Sequence, residues 1–315
     1  YNSQVGQLIQ TAFFSKVLPG VYDVQAVAMR TVGVYTNTTQ VDAYRGAGRP
    51  EAIYVLERSL DHAAREMGVD PWALRQRNFI KPDQFPYISA TGQPYDVGNF
   101  DRVLARVTRA ADRDGFAARR AASAAAGKLR GIGLCYYIES ILGDPSETSR
   151  VDFNTDGTVS IFVGTQSNGQ GHETVFAQFL ADQTGIPADR IAVVQGDSDL
   201  VPTGGGTGGS RSVTVQNTAT LAAVGVMIDR FSAFLGEVEG VPTTDVSFDD
   251  ERFRIAGSNL TPTMLDVADM ARGAGRDDLL SVSKQIKLDH RSYPNGAHVS
   301  EVEIDPQTGV VTVQR

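Results

Sequence analysis

The sequence contains few of the residues that cross-link small folds or bind metals. Its 315 residues include a single cysteine, Cys135. Its four histidines are His62, His172, His290 and His298. One cysteine excludes a disulfide framework, a paired-cysteine metal site and an iron–sulfur cluster carried by this chain alone. The histidines lack metal-ligand spacing, because position 176, where a zinc-protease motif needs its second histidine, is Phe. We therefore predict no protein-held metal ion.

The sequence also lacks a basic excess and a long apolar run. Lys and Arg number 29 against 37 Asp and Glu, a net charge of −8, which argues against a nucleic-acid partner. Apolar stretches fall short of the roughly 20 residues of a membrane span, so no membrane partner is expected. With 41% hydrophobic and 21% charged residues, the composition is typical of a globular protein. The predicted location is the cytoplasm.

The length, at roughly 100–200 residues per domain, suggests two domains. Apolar spacing predicts helices near residues 52–67, 70–79, 100–111, 116–126, 172–184, 213–235 and 262–272. Strands are predicted near residues 24–39, 131–139, 147–153, 159–164, 191–195, 246–248, 253–255, 281–287, 297–304 and 310–313. Helices and strands mix without strict alternation, so the predicted class is α+β, with mixed sheets and helices.

Two composition signals suggest how the chain is divided. The alanine-rich stretch 117–127 predicts a boundary between a domain of residues 1–127 and one of residues 128–315. The last residues, 309–315, alternate like a strand that stops without a turn. We therefore expect the chain to be a fragment of a longer subunit.

Three glycine-rich loops each precede a predicted helix. They cover residues 44–51, 164–174 and 204–212, and two of them contain arginine. A helix N-terminus presents free backbone N–H groups and partial positive charge, and glycine lets a ligand approach that backbone. One such loop is commonly just a turn before a helix. Three in one chain point to a large anionic ligand held mainly by backbone.

The common glycine motifs do not fit these loops. Gly164 and Gly169 have P-loop spacing, but Gln170-Gly171 replaces the Lys-Ser/Thr pair. The glycines of 204–209 match a dinucleotide fingerprint formally, but the polar loop 197–203 separates them from the preceding strand. Ser167 lacks the hydrolase frame, because position 165 is Thr. Catalysis would have to come from the ligand as much as from side chains.

Several stretches carry a family resemblance. They are AYRGAGRPE at 43–51, GQGHET at 169–174, GTGGSRS at 206–212, ERSLD at 57–61, RQRN at 75–78, GIGL at 131–134 and GAHVSEVE at 296–303. Together, and in this order, they closely resemble the molybdenum-binding large subunit of the xanthine dehydrogenase, aldehyde oxidase and carbon monoxide dehydrogenase family. The resemblance implies that residues 1–127 and 128–315 are parts of two molybdopterin-binding domains, from the middle of such a subunit.

The resemblance also implies a function. Such proteins use a molybdenum–molybdopterin cofactor, with the cytosine dinucleotide form left open here, to oxidise an aldehyde, heterocycle or related carbon centre with oxygen from water. Electrons then pass to iron–sulfur and FAD-binding subunits or domains, and the complete protein is expected to be a dimer of heterotrimers.

Site residues follow from the matching motifs. Arg45 corresponds to the arginine beside the molybdenum, and without the resemblance it would be read as a loop-bracing ion pair. The cofactor-binding residues implied by the family are Gly169, Gln170, Gly171, His172, Gly206, Thr207, Gly208, Ser210 and Arg211. Gln170 and Ser210 also suit simple helix capping.

Two departures from the family pattern limit what the resemblance implies. Copper-dependent members carry a cysteine after the arginine, whereas this chain has Gly46, which argues against that chemistry. The family's glycine-framed glutamate is not found, since Glu301 and Glu303 lie on an ordinary predicted strand. The chain alone is therefore expected to be inactive and free of cofactor.

Two other classes of function remain open from the sequence. One is a stand-alone module that binds a nucleotide-like anion through the glycine loops, and the other is a structural piece with no ligand. Under the preferred hypothesis, loops 169–171 and 206–209 should lie together at the starts of their helices, facing one cleft with Arg45. Cys135 is expected to be an inert core thiol, because its neighbours read as a buried strand.

Overall fold

The computed structural model describes residues 4–39, 42–141 and 143–315. The chain forms two compact units: unit 1 is Tyr1–Ser140 with Arg291–Arg315, and unit 2 is Ile141–His290. Both mix helices with sheets, which confirms the predicted α+β class. The predicted domain boundary at residue 127 concerns family domains rather than these units, and it stays a prediction.

The elements are numbered along the chain. The helices are α1 Gln4–Val17, α2 Arg49–Met67, α3 Pro71–Asn78, α4 Phe100–Ala110, α5 Phe116–Ala125, α6 His172–Thr184, α7 Ser212–Glu239 and α8 Met264–Gly273. The strands are β1 Tyr87–Ile88, β2 Pro94–Tyr95, β3 Leu129–Ile138, β4 Ser146–Phe153, β5 Val159–Val163, β6 Ile191–Val194, β7 Val246–Asp249, β8 Arg252–Ile255, β9 Ser281–Lys287, β10 Asn295–Ile304 and β11 Val311–Val313.

Unit 1 packs its helices on a three-stranded antiparallel sheet in the order β11-β10-β3. Strand β3 alternates, so that Leu134, Tyr136 and Ile138 enter the core. Helix α2 has Pro50 in its first turn, as its sequence predicts, and ends at Gly68 in the left-handed conformation. Asp70 caps the next helix, α3, by accepting from two backbone N–H groups of its first turn.

A buried ion pair joins three elements of unit 1. The Glu57 carboxylate on α2 accepts hydrogen bonds from Arg75 Nε at 2.9 Å, Tyr22 OH at 2.6 Å and the Tyr136 backbone N–H at 2.9 Å. The Arg75 and Glu57 side chains are 0% and 4% exposed. Burial, followed by the neighbouring carboxylate, raises the pKa of Tyr22. The cluster therefore holds α2, α3 and β3 together.

Unit 2 is built on a four-stranded sheet in the order β6-β5-β4-β9. Strands β5 and β6 are parallel and joined through α6, whereas the other pairs are antiparallel. Helix α7 packs on this sheet and buries Met227 and Phe231 in the core.

Helix α7 is long, with 28 residues, and apolar. It is the one helix of the described residues with the length and composition to cross a membrane. However, 56% of its most apolar window is buried inside the fold. Core helices pass the same test, and the packing of α7 on the sheet accounts for its apolar sequence.

Two local expectations differ from the structure, and one helix lies outside the predicted elements. Residues 24–39, all described, form no strand, and Val34 and Tyr35 are exposed, because no described neighbour supplies a ladder. Helix α1 was not predicted. Cys135 is only half-buried, since it lies on the face of β3 opposite Leu134 and Tyr136, although burial raises the pKa of its thiol to about 11.

Candidate ligand-binding site

The candidate site lies at one edge of the unit 2 sheet. Because β5 and β6 are parallel, their carboxyl ends meet at the same edge, where open α/β sheets place ligands. Residues 164–171, here called loop A, follow β5 and lead into α6. Residues 204–211, here called loop B, lead into α7. Both loops therefore end at a helix N-terminus, as the sequence predicts.

Loops A and B are in direct contact. The Gly206 N–H donates to Gly164 O at 3.1 Å, and the Thr207 hydroxyl donates to Gln166 O at 2.5 Å. Gly164 and Gly204 are so close that a Cβ on Gly204 would lie 2.5 Å from the Cα of Gly164. Loops A and B therefore touch through residues 164–166 and 204–207, whereas the closeness of residues 169–171 to 206–209, and their shared cleft with Arg45, stay predictions.

Four glycines present open backbone. Apart from the adjacent residues in the chain, no heavy atom of the described residues lies within 4 Å of a Cβ built on Gly169, Gly171, Gly206 or Gly208. The first three have φ of +105°, +75° and +67°, a region that favours glycine. Gly171 caps α6 without a side-chain hydrogen bond. Open backbone next to a helix N-terminus suits an anionic ligand.

The other two predicted residues of loop A differ in exposure. His172 is 2% exposed, its Nδ1 is 2.8 Å from Thr165 O, and its ring packs on Phe176. Gln170 is exposed, and its Oε1 accepts from the Asn168 N–H at 2.5 Å. Gln170 therefore also braces the turn of its own loop.

In loop B, Ser210 is exposed and Arg211 points inward. Ser210 has φ of +60°, and Thr207 Oγ1 also accepts from Ser212 Oγ at 3.1 Å. Arg211 is 1% exposed, and its guanidinium lies 2.8 Å from Glu147 Oε2. Its hydrogen bonds thus go to protein groups.

Sequence reasoning missed two residues of this region. Gln195, just after β6, accepts from the Ser167 N–H at 2.9 Å and donates to Glu173 at 2.5 Å. Its place at the end of a strand parallel to β5 could have indicated it. Glu147 is 2% exposed on β4, and a lone glutamate in an alternating strand gave no signal.

The predicted catalytic residue belongs to the other unit. Arg45 lies in the turn of residues 45–48 before α2, is exposed, and has no hydrogen bond or ion pair to any residue the structure describes. Its neighbour Arg49 is buried, with Nε 2.7 Å from Glu139 Oε1 and Nη2 donating to Ser140 O at 2.7 Å. The approach of Arg45 to the cofactor-binding residues remains a prediction.

The described residues contain no group of three or more His, Cys, Asp or Glu that could hold a metal ion. A metal at this site would therefore have to be part of a cofactor, bound through atoms of the cofactor and not through these side chains. The glycine backbone of loops A and B fits such a group, because it leaves room for a ring or phosphate to approach.

Comparison with known families assigns the chain. The family described as the molybdopterin cofactor-binding domain matches residues 106–315 in one sequence model and residues 1–79 in another. The chain therefore belongs to the molybdopterin cofactor-binding family, as the loop motifs imply.

Curated relatives are large subunits of enzymes. The chain is 31% identical to the carbon monoxide dehydrogenase large chain of Afipia carboxidovorans, over 96% of this chain and 40% of that protein. It is 29% identical to the nicotine 6-hydroxylase large subunit of Paenarthrobacter nicotinovorans, over 94% of this chain and 38% of that protein. The chain thus spans about 40% of the length of these relatives.

Solved structures show the same fold. Quinoline 2-oxidoreductase from Pseudomonas putida 86 matches with a TM-score of 0.86 and 26% identity, covering 98% of this chain and 41% of that one. A Cu,Mo carbon monoxide dehydrogenase matches with a TM-score of 0.84 and 29% identity, covering 96% and 41%.

Proposed function

We propose that this chain is part of the large subunit of a molybdenum hydroxylase, which oxidises an aldehyde, heterocycle or related carbon centre with oxygen from water. The observation that carries the proposal is the contact between loops A and B at one sheet edge, in a chain of the molybdopterin cofactor-binding family. Gly46 in place of the copper-holding cysteine argues against carbon monoxide as the substrate. The relatives named for nicotine and quinoline, both nitrogen heterocycles, favour a substrate of that class.

The chain's own residues would divide the work between holding the cofactor and orienting the substrate. When bound, the molybdenum–molybdopterin cofactor supplies the redox centre that accepts two electrons from the substrate carbon. Gly169, Gly171, Gly206 and Gly208 would let the cofactor approach the backbone closely, and the α6 and α7 N-termini favour its negative charge. The exposed Arg45 would orient substrate and stabilise negative charge that develops on it.

Further parts of the proposal concern the complete protein. The cofactor is proposed to be the cytosine dinucleotide form, because two adjoining helix N-termini suit a ligand too long for one loop. Since the chain has one cysteine, its electrons would pass to iron–sulfur and FAD groups on other subunits or domains, in the cytoplasm. The chain alone, which spans about 40% of its relatives, is proposed to fold without binding molybdenum or turning over substrate.

The test uses the full-length protein and two matched glycine substitutions. Gly206 and Gly240 have φ of +67° and +68°, and both have empty space at the Cβ position, but only Gly206 lies in a loop of the site. Alanine adds similar strain at each, roughly 1–2 kcal/mol. Molybdenum would be measured by elemental mass spectrometry and pterin by fluorescence. We expect wild type and Gly240→Ala to carry both, and Gly206→Ala to lose most of each.

The alternatives predict other results. A folded full-length protein that contains neither molybdenum nor pterin would contradict the proposal. If that protein bound a nucleotide in calorimetry, the stand-alone anion-binding module would be favoured instead. Equal loss of cofactor in both glycine variants would show that loop B has no special part in holding it.

A further inference from the structure

The backbone of loop B is held from within by a buried ion pair. Glu147 at the start of β4 and Arg211 at the end of loop B lie 2.8 Å apart, and each side chain is 1% exposed. Charged groups are rarely buried this completely unless each hydrogen bond is satisfied. The partners of the pair therefore show what it does.

The N–H groups of Arg211 donate to oxygen atoms of the protein. Its Nη1 donates to Gly206 O at 2.7 Å as well as to Glu147 Oε2, and its Nε donates to Asp144 O at 2.7 Å. Its Nη2 donates to Ser146 O at 2.5 Å. A guanidinium has five N–H donors, so these four contacts leave little for a ligand. They also join the segment before β4 to the middle of loop B.

Glu147 completes the arrangement from the other side. Its Oε2 accepts from the Gly205 N–H at 3.1 Å, and its Oε1 accepts from the Thr148 N–H at 2.9 Å. A Cβ on Gly205 would lie 2.6 Å from the Arg211 guanidinium. Glycine at 205 is thus required for packing against the pair, whereas Gly206 and Gly208 face open space.

We propose that Glu147 and Arg211 are positioning residues, which fix the backbone of loop B so that the loop presents its open glycine backbone to the ligand rather than the Arg211 side chain. The identity of that ligand as molybdopterin rests on the proposed function. The pair replaces the direct contact that the family resemblance implies for Arg211. A loop ordered before binding loses less conformational freedom on binding, so the pair raises affinity without touching the ligand.

The test compares two buried ion pairs of similar geometry. Glu147→Gln and Glu57→Gln each remove the charge of a buried glutamate beside a buried arginine, and Arg75 keeps a second carboxylate, Asp61, at 2.9 Å. The Glu57–Arg75 pair lies in unit 1, on helices α2 and α3. Both full-length variants should show a lowered melting temperature. Only Glu147→Gln should lose pterin and molybdenum, measured per folded protein well below both melting temperatures. Arg211→Lys should also lose cofactor, because one ammonium group cannot bridge the four acceptors.

A second readout does not depend on the cofactor. Hydrogen exchange of the Gly205 amide, which donates to Glu147, should accelerate about tenfold or more in the isolated chain of Glu147→Gln, as expected for weakening one hydrogen bond to a charged group. The Gly206 amide, which donates to Gly164 O, should also exchange faster, because the pair no longer holds the loop. The same amides should be unchanged in Glu57→Gln.

The two readouts separate this proposal from the proposed function. Unchanged exchange at 205–206, or full cofactor occupancy in both Glu147→Gln and Arg211→Lys, would overturn the positioning role. Equal cofactor loss in Glu57→Gln would also overturn it, since general destabilisation would then explain the effect. Accelerated exchange together with a wild type that contains no pterin would leave the pair supported and the proposed function contradicted.

Discussion

The turn before α2 and loop B are both rich in glycine, and each has a buried arginine at the start of its helix, but only the turn before α2 also has an exposed one. Each is rich in glycine and leads through an arginine into a long helix: Arg49 opens α2, and Arg211 precedes α7. Both of these arginines are buried against a glutamate, Glu139 or Glu147. The turn before α2 alone adds an exposed arginine, Arg45.

This difference distinguishes two roles of arginine in glycine-rich loops, according to burial and hydrogen-bond partners. An arginine whose donors meet buried carboxylate and carbonyl oxygens shapes the backbone, whereas one that is exposed and unpaired is available to a ligand. Arg49 belongs to the first kind: it also stacks on the Phe13 ring, with 4.1 Å between guanidinium carbon and ring centroid. Burial raises the pKa of Glu139, and the adjacent Arg49 partly offsets this.

The largest expected effect comes from Arg45. Arg45→Ala in the full-length protein should lower kcat/KM about 10²–10³-fold, as for loss of one preorganised electrostatic contact. Its melting temperature should stay at the wild-type value, because Arg45 is exposed and unpaired within the described chain. Dye-coupled oxidation of aldehydes and nitrogen heterocycles measures the rate. Arg106→Ala, another exposed arginine on α4, is the control and should retain activity. Equal activity of Arg45→Ala and wild type would remove the distinction between the two arginines of this turn.

A smaller, purely structural effect is expected at Arg49. Arg49→Ala should lower the free energy of unfolding by about 2–3 kcal/mol, somewhat less than for a fully buried pair, because the Glu139 side chain is 23% exposed. Urea unfolding of the isolated chain measures this, with Arg45→Ala as the matched control. An unfolding midpoint equal to wild type would show that burial does not identify a bracing arginine.

The smallest expected effect is the pH dependence of stability that arises from Glu301, which lies on β10 of unit 1 and outside loops A and B. Hydrogen bonds from Arg119, at 2.9 and 2.8 Å, and then from Arg130 lower the pKa of Glu301 to about 2 from its ordinary 4.5. A lowered folded-state pKa contributes stability above pH 4.5, which is lost as the pH falls toward 2. Wild type should therefore weaken between pH 5 and pH 3 in urea unfolding, whereas Glu301→Gln should be less stable at pH 5 but change less with acid.

The control for this titration is Glu66→Gln, because Glu66 is exposed on α2. It should follow the wild-type dependence on pH. If Glu301→Gln also followed that dependence, the acid sensitivity would arise from other carboxylates. Glu301 would then stabilise unit 1 only through contacts that do not depend on its charge.

Local sequence signals predicted most helices and strands, but not which neighbouring elements they pack against or pair with. Helix α6 begins at His172 and ends at Thr184, as glycine punctuation and apolar spacing predict. Residues 24–39 alternate like a strand, yet pairing depends on a neighbour that local sequence cannot reveal.

The same limit applies to the site. Glycine spacing predicted that loops A and B precede helices, and parallel strands brought them together. The direction in which Arg211 points depends on Glu147, 64 residues away in the chain, so only the fold could show it.

The pairing of β3 with β10 has a consequence for the order of folding. Ile138 of β3 lies opposite Asn295 of β10, so unit 2 is contained in the chain between two adjacent strands of unit 1. Closing a flexible loop costs about 0.6 kcal/mol more for each doubling of its length, and a folded insert shortens the flexible part. Unit 2, being contiguous, emerges completely from the ribosome before β10 does. We therefore expect unit 2 to fold first during synthesis, and the pairing of β3 with β10 in unit 1 to form afterwards.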